Sequence, residues 1–78
     1  MADIYIHLSN GDFIATSMYE EVPSLPDRMH LIEDAINDRK LIKGMYTTTL
    51  GAMRNANILI SKKKVVVITS ANGKETNE

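Results

Sequence analysis

The segment Tyr46–Asn57, "YTTTLGAMRNAN", holds the densest set of ligand-recognising groups in this chain of 78 residues. Arg54 carries a planar guanidinium that grips a phosphate or carboxylate through two parallel hydrogen bonds. Asn55 and Asn57 each offer a donor and an acceptor, the combination that reads the edge of a base or a ribose. Thr47 and Thr49 add hydroxyls, and Tyr46, together with Tyr5, supplies a ring on which a base can stack. These types at this spacing fit recognition of an anionic, nucleotide-like small molecule. The plainer account is a polar crossover between strands, with threonines present for their β propensity.

Catalytic patterns are missing. The four glycines stand at 11, 44, 51 and 73, so no glycine-rich loop cradles a phosphate. There is no nucleophile elbow, no His-Glu-x-x-His and no calcium loop. Glu20-Glu21 and Glu33-Asp34 are adjacent pairs whose carboxylates diverge, whereas acid–base chemistry needs them to converge on one atom. The chain has no cysteine and only two histidines, His7 and His30, far apart in sequence. No metal site, cofactor or catalytic residue is therefore expected, and the protein is read as non-enzymatic.

Three smaller features remain, two of them with both a functional and a plain account. His7, in the middle of a strand, is either a pH-sensitive or ligand contact or an ordinary surface histidine. His30 is expected to pair with Asp34 one helical turn on. Lys62, Lys63 and Lys64 form either an anion site or a solvated turn that discourages edge-to-edge sheet pairing. A nucleic-acid regulator built on these lysines is the weakest reading, because nine basic and ten acidic side chains give a net charge of −1. No apolar run approaches the roughly 20 residues of a membrane span. The N-terminus "MADIYIHL" lacks the basic and apolar parts of a signal peptide, so a cytoplasmic location is expected.

The elements that must position these groups are legible as a pattern. Asn10-Gly11 between alternating runs predicts a hairpin with a two-residue type I′ turn. That register sets Leu8 opposite Phe13 and Ile6 opposite Ala15, and puts Ile4, Ile6, Leu8, Phe13 and Ala15 on one core face. Ser24 followed by Asp27 reads as a capping pair, with Pro26 in the first turn. Leu25, Met29, Ile32 and Ile36 then form one stripe of a helix over Leu25–Lys40. A strand is expected at Met45–Leu50, then a loop or bulged continuation over Gly51–Asn57. "ILISKKKVVVITS" reads as a second hairpin around Lys62 and Lys63, with Ile58, Ile60, Val65 and Val67 sharing a face.

The predicted fold is α+β in the order β-β-α-β-β-β: an antiparallel four- to five-stranded sheet with a single helix packed on one face. Residues 1–70 make one domain, and 71–78 a polar, disordered tail. One helix covers one face. Tyr5, Ile14, Met18, Leu59, Val66 and Ile68 are left on faces it cannot all reach. A homo-oligomer is the economical cover, with Tyr5, His7, Ile14, Met18, Leu59 and Val66 at the contact. A sheet curled around both sets, as in a small barrel, is the alternative.

The strand–Asn10-Gly11-Asp12–strand opening, the single helix and the closing "NILISKKKVVVI" (Asn57 to Ile68) resemble small accessory proteins of phages and prophages of Gram-positive bacteria. The resemblance covers most of residues 3–70 and carries no catalytic residues. It implies a protein that works by binding in the host cytoplasm. Such proteins inhibit a host enzyme, occupy a nucleic-acid-binding surface, or sequester nucleotide-derived signals as oligomers. The expected partners are thus a second copy of the chain, with a nucleotide-like small molecule or a host protein.

Overall fold

The computed structural model describes residues 4–70; the proposed tail lies outside them. The strands are β1 (Ile4–Leu8), β2 (Phe13–Thr16), β3 (Leu41–Thr47), β4 (Met53–Leu59) and β5 (Val65–Ser70). One helix, α1 (Leu25–Asn37), separates β2 from β3, and a 3-10 turn, Lys62–Lys64, precedes β5. All neighbours in the sheet are antiparallel, in the order β4-β3-β2-β1-β5. The α+β class and element order read from the sequence are those observed.

The first hairpin differs from expectation by one residue, with large consequences. Leu8 N donates to the Asp12 carbonyl (2.9 Å) and Gly11 N to the Leu8 carbonyl (3.0 Å). The loop is therefore Ser9–Gly11, a turn closed by glycine at φ +95°. A type I′ turn needs positive φ at both central residues, and Asn10 does not adopt it. Its side-chain oxygen instead accepts from Asp12 N at 2.9 Å, an Asx interaction that favours the three-residue loop. Ile6 then faces Ile14, and His7 faces Phe13. A one-residue slip exchanges the faces of a strand. Ile14 is fully buried with Ile4 and Ile6, so it is core and not a contact residue. Phe13 and Ala15 move to the other face, beside Tyr5 and His7.

Helix α1 starts where the sequence predicts. The Ser24 hydroxyl accepts from Asp27 N at 3.4 Å, and Ile32, Ala35 and Ile36 are buried, with Leu25 and Met29 partly so. It ends at Asn37, short of Lys40. Arg39 adopts φ +60°; its N–H bonds the Ile36 carbonyl (3.2 Å) and Lys40 N–H bonds that of Ala35 (2.9 Å). That pair of bonds is a Schellman end, which stops the helix and turns the chain directly into β3. His30 pairs with Glu33 (3.4 Å) and not with Asp34.

Strand β3 accordingly begins at Leu41, earlier than expected, and Gly44 lies inside it. A Cβ there would stand 2.5 Å from the Ala15 carbonyl oxygen and 2.9 Å from Ile14 Cγ2. Glycine is what lets β2 and β3 approach. Gly51 separates β3 from β4: Thr48 N donates to the Ala52 carbonyl and Gly51 N to the Thr48 carbonyl, both at 2.9 Å. This repeats the first hairpin's turn, again with glycine at positive φ, here +91°.

The second expected hairpin does not form. β4 and β5 occupy opposite edges of the sheet and run parallel to each other. Six Cα steps from Leu59 to Val65 reach at most about 22 Å. Crossing a flat sheet costs about 19 Å sideways, plus the return along a strand. The sheet must therefore coil until the end of β4 approaches the start of β5. Its inner face holds the core of Ile4, Ile6, Ile14 and Ile42, closed by α1 and by Ile60. The alternative of a sheet curled around both apolar sets is not met, because Leu59 and Val66 remain 54% and 65% exposed. β5 pairs with β1 through a bulge at His7/Leu8, which shifts its alternation. Val65 and Ile68 pack on the core, while Val66 and Val67 are exposed, at 65% and 48%.

Candidate functional site

The outward face of the sheet carries half of the candidate residues: Tyr5, His7, Thr47, Asn55, Asn57 and Leu59. Register places Tyr5 and His7 of β1, Phe13 and Ala15 of β2, Met45 of β3 and Val67 of β5 together on it. The three rings form a cluster, with centroids 5.7 Å apart for Tyr5–Phe13, 5.8 Å for His7–Phe13 and 6.4 Å for Tyr5–His7. His7 Nε2 lies 3.0 Å from Thr69 Oγ1, which fixes the imidazole on this face. Met53, across Thr47 from Phe13, is 63% exposed, while Leu41 and Leu59, each 54% exposed, lie beyond the Lys43–Asn57 pair at the far end of the β3–β4 ribbon. Sequence reasoning missed Phe13 and Met45 because the assumed two-residue turn sent Phe13 inward; the Asn10-Gly11-Asp12 triplet was the available signal for the longer loop.

An open groove of about 820 Å³ crosses the same side where β2 ends and β3 continues alone beside β4. Lys43, Asn55 and Asn57 line it on one side, Glu20 and Glu21 on the other. Met18, expected at an interface, packs partly against the core, and its sulfur accepts from Lys43 N at 3.2 Å. Thr16 ends β2 by donating its hydroxyl to the Lys43 carbonyl (2.7 Å) and accepting from Met18 N (3.1 Å).

The proposed ligand set divides by strand alternation. Thr47, Asn55 and Asn57 point to the outward face, whereas Arg54 lies opposite Tyr46 on the inner side. Because β4 is an edge strand, Tyr46, Arg54, Asn55 and Asn57 still border one groove of about 560 Å³ around its free edge. Asp12 sits in that groove too. Its carboxylate accepts from Tyr46 Oη at 2.5 Å, from Thr49 N at 3.1 Å and from Asn10 Nδ2 at 3.1 Å. Tyr46 and Thr49 are thus engaged in joining the two hairpin tips. The hydrogen bond to Asp12 holds the Tyr46 phenol above its ordinary pKa of 10.0, helped by partial burial and the negative charge of Asp12. Asp12, unflagged by sequence, is the hub of this clasp.

Among the described residues no group of three or more His, Asp or Glu could hold a metal ion, and no helix is long and apolar enough to cross a membrane. Compared with protein-family models, curated proteins and solved structures, the chain matches none.

Proposed function

We propose that this chain is a non-enzymatic binding protein that assembles with further copies of itself through the outward face of its sheet. The observation that carries this reading is the Tyr5–His7–Phe13 cluster, continued by Ala15 and Met45 and flanked by the exposed Val67 and Met53. Contiguous apolar surface of this kind marks an interaction site. The face also carries both signs of charge, Lys43 against Glu20 and Glu21 across one groove. A two-fold axis can set these opposite each other between copies, as an isologous contact requires. Thr47, Asn55 and Asn57 would then border the subunit contact, where a nucleotide-like ligand would meet their hydroxyl and amide groups. Such a protein fits the phage accessory role that the sequence resemblance implies.

Native mass spectrometry at micromolar concentration tests the assembly. The wild type is expected as a closed oligomer, and Met53→Lys/Val67→Lys as a folded monomer, since both side chains are solvent-exposed in the isolated fold. A wild-type monomer would overturn self-assembly. Capture of a host enzyme by that monomer, lost with the same substitutions, would assign the face to a different protein.

A further inference from the structure

A second cleft, of about 510 Å³, lies between the end of α1 and the 3-10 turn and meets the end of β4 at Leu59 and Ile60. It brings together Arg39 and the Lys62-Lys63 pair, which are distant in sequence, with Asn37 and Ser61 as neutral hydrogen-bonding neighbours. Ile36 contributes to an apolar floor, and no acidic residue lines the cleft. Glu33 lines the adjoining groove beside Val65–Ile68, which shares Ile36, Asn37 and Lys62 with the cleft. The cleft's volume is in the range of small-molecule sites, about 300–1,000 Å³.

The backbone at Arg39 supplies an independent observation. Arg39 takes φ +60° at the position of the Schellman end where glycine is the favoured residue. An L-residue there is disfavoured relative to the right-handed region. Complementing the helix dipole does not require it, because Lys40 and the lysines of the turn supply cations at that end. A side chain kept in a disfavoured conformation and directed to a basic cleft points to use of that side chain. The terminal carbonyls of α1 would repel an anion, but the Ala35 and Ile36 carbonyls are already bonded to Lys40 N and Arg39 N. Three full positive charges outweigh the partial charge that remains.

We infer that this cleft is an anion site for a ligand carrying two or more linked phosphates. The Arg39 guanidinium takes one phosphate through paired hydrogen bonds. Lys62 and Lys63 act as point charges on the next. The site shares only Leu59 with the outward face, and its cations, Arg39, Lys62 and Lys63, do not depend on self-assembly.

Inorganic pyrophosphate titrated into isotope-labelled protein tests it by NMR. Saturable shifts confined to Arg39, Lys40 and the Ser61–Lys64 amides are expected. Lys62→Gln/Lys63→Gln should weaken binding about tenfold or more, the loss typical of one or two charge-assisted hydrogen bonds. Arg39→Gly should weaken it comparably while raising the melting temperature, because glycine relieves the backbone. Weak binding therefore cannot be blamed on unfolding. Unsaturable shifts spread over all lysines would overturn the site, as would either variant binding as tightly as the wild type.

Discussion

Thr16 is fully buried, and it is polar for a reason that lies in the backbone. Its hydroxyl serves the Lys43 carbonyl and Met18 N at the point where β2 stops pairing with β3. Thr16→Val keeps the shape and strands both groups, so it should cost about 1–3 kcal/mol in urea unfolding. A neutral outcome would mean that water replaces the hydroxyl. Tyr46 acts at the surface end of the same sheet, and its effect depends on pH. Its phenol must be protonated to donate to Asp12, and its pKa is raised in the folded protein. A raised folded pKa means that its contribution is complete below the unfolded value near 10.0 and is lost as pH rises through the folded one. Tyr46→Phe should therefore lower stability by about 1 kcal/mol at neutral pH, and the gap from wild type should close in strong alkali. Equal curves at neutral pH would remove the clasp as a stabilising element. The site was legible only in part at this scale. Residue types marked Arg54, Asn55 and Asn57, but strand alternation, which decides what shares a face, places Arg54 apart from the two asparagines. Asp12 escaped notice because a carboxylate after Asn-Gly reads as turn decoration until its distant partners are known.

At the scale of elements, helix α1 was readable because its signals are local: a serine cap, a proline in the first turn and one apolar stripe all agree. Its end was not, since Arg39 takes a conformation that its residue type disfavours. The first hairpin was readable as a hairpin, though a single loop residue decides which face is core; the β3–β4 hairpin was not, because Gly51–Asn57 reads as a polar loop and most of it is strand β4. The two share one turn geometry with glycine at positive φ, but their surroundings differ. A Cβ on Gly11 would meet Thr49 Cγ2 at 2.6 Å, whereas one on Gly51 meets nothing within 4 Å. Gly51→Ala should thus cost only the backbone strain, about 1–2 kcal/mol. Gly11→Ala adds a clash at the junction of the hairpin tips and should cost more, up to about 3 kcal/mol. Thermal unfolding of both variants measures the difference. Equal losses would show that the tips move apart freely, and that the Asp12 clasp does not hold them in register.

At the scale of the whole molecule, the chain's last strand lies beside its first, and this sheet order was not visible in the sequence. "ILISKKKVVVITS" contains everything a local hairpin needs, and only the inner core decides otherwise. Placing β5 on β1 buries Ile68 and Val65 against the isoleucine core, while the bulge leaves Val66 and Val67 outside. The same choice has a kinetic consequence. β3 and β4 meet through a short turn, but His7 and Thr69 meet across 62 residues of chain. Closing that long loop early is entropically unfavourable, so local hairpins should form before β5 docks. Ile58, opposite Ile42 in the local hairpin, and Ile68, opposite Ile6 across the long closure, both pack on the core. Truncating either to alanine should cost about 2 kcal/mol at equilibrium. The rates should separate them: Ile58→Ala slows folding, whereas Ile68→Ala leaves folding nearly unchanged and speeds unfolding. Stopped-flow folding and unfolding in urea reads both limbs. If Ile68→Ala slows folding as much as Ile58→Ala, closure of the coiled sheet belongs to the nucleus, and β5 is the strand that templates the fold.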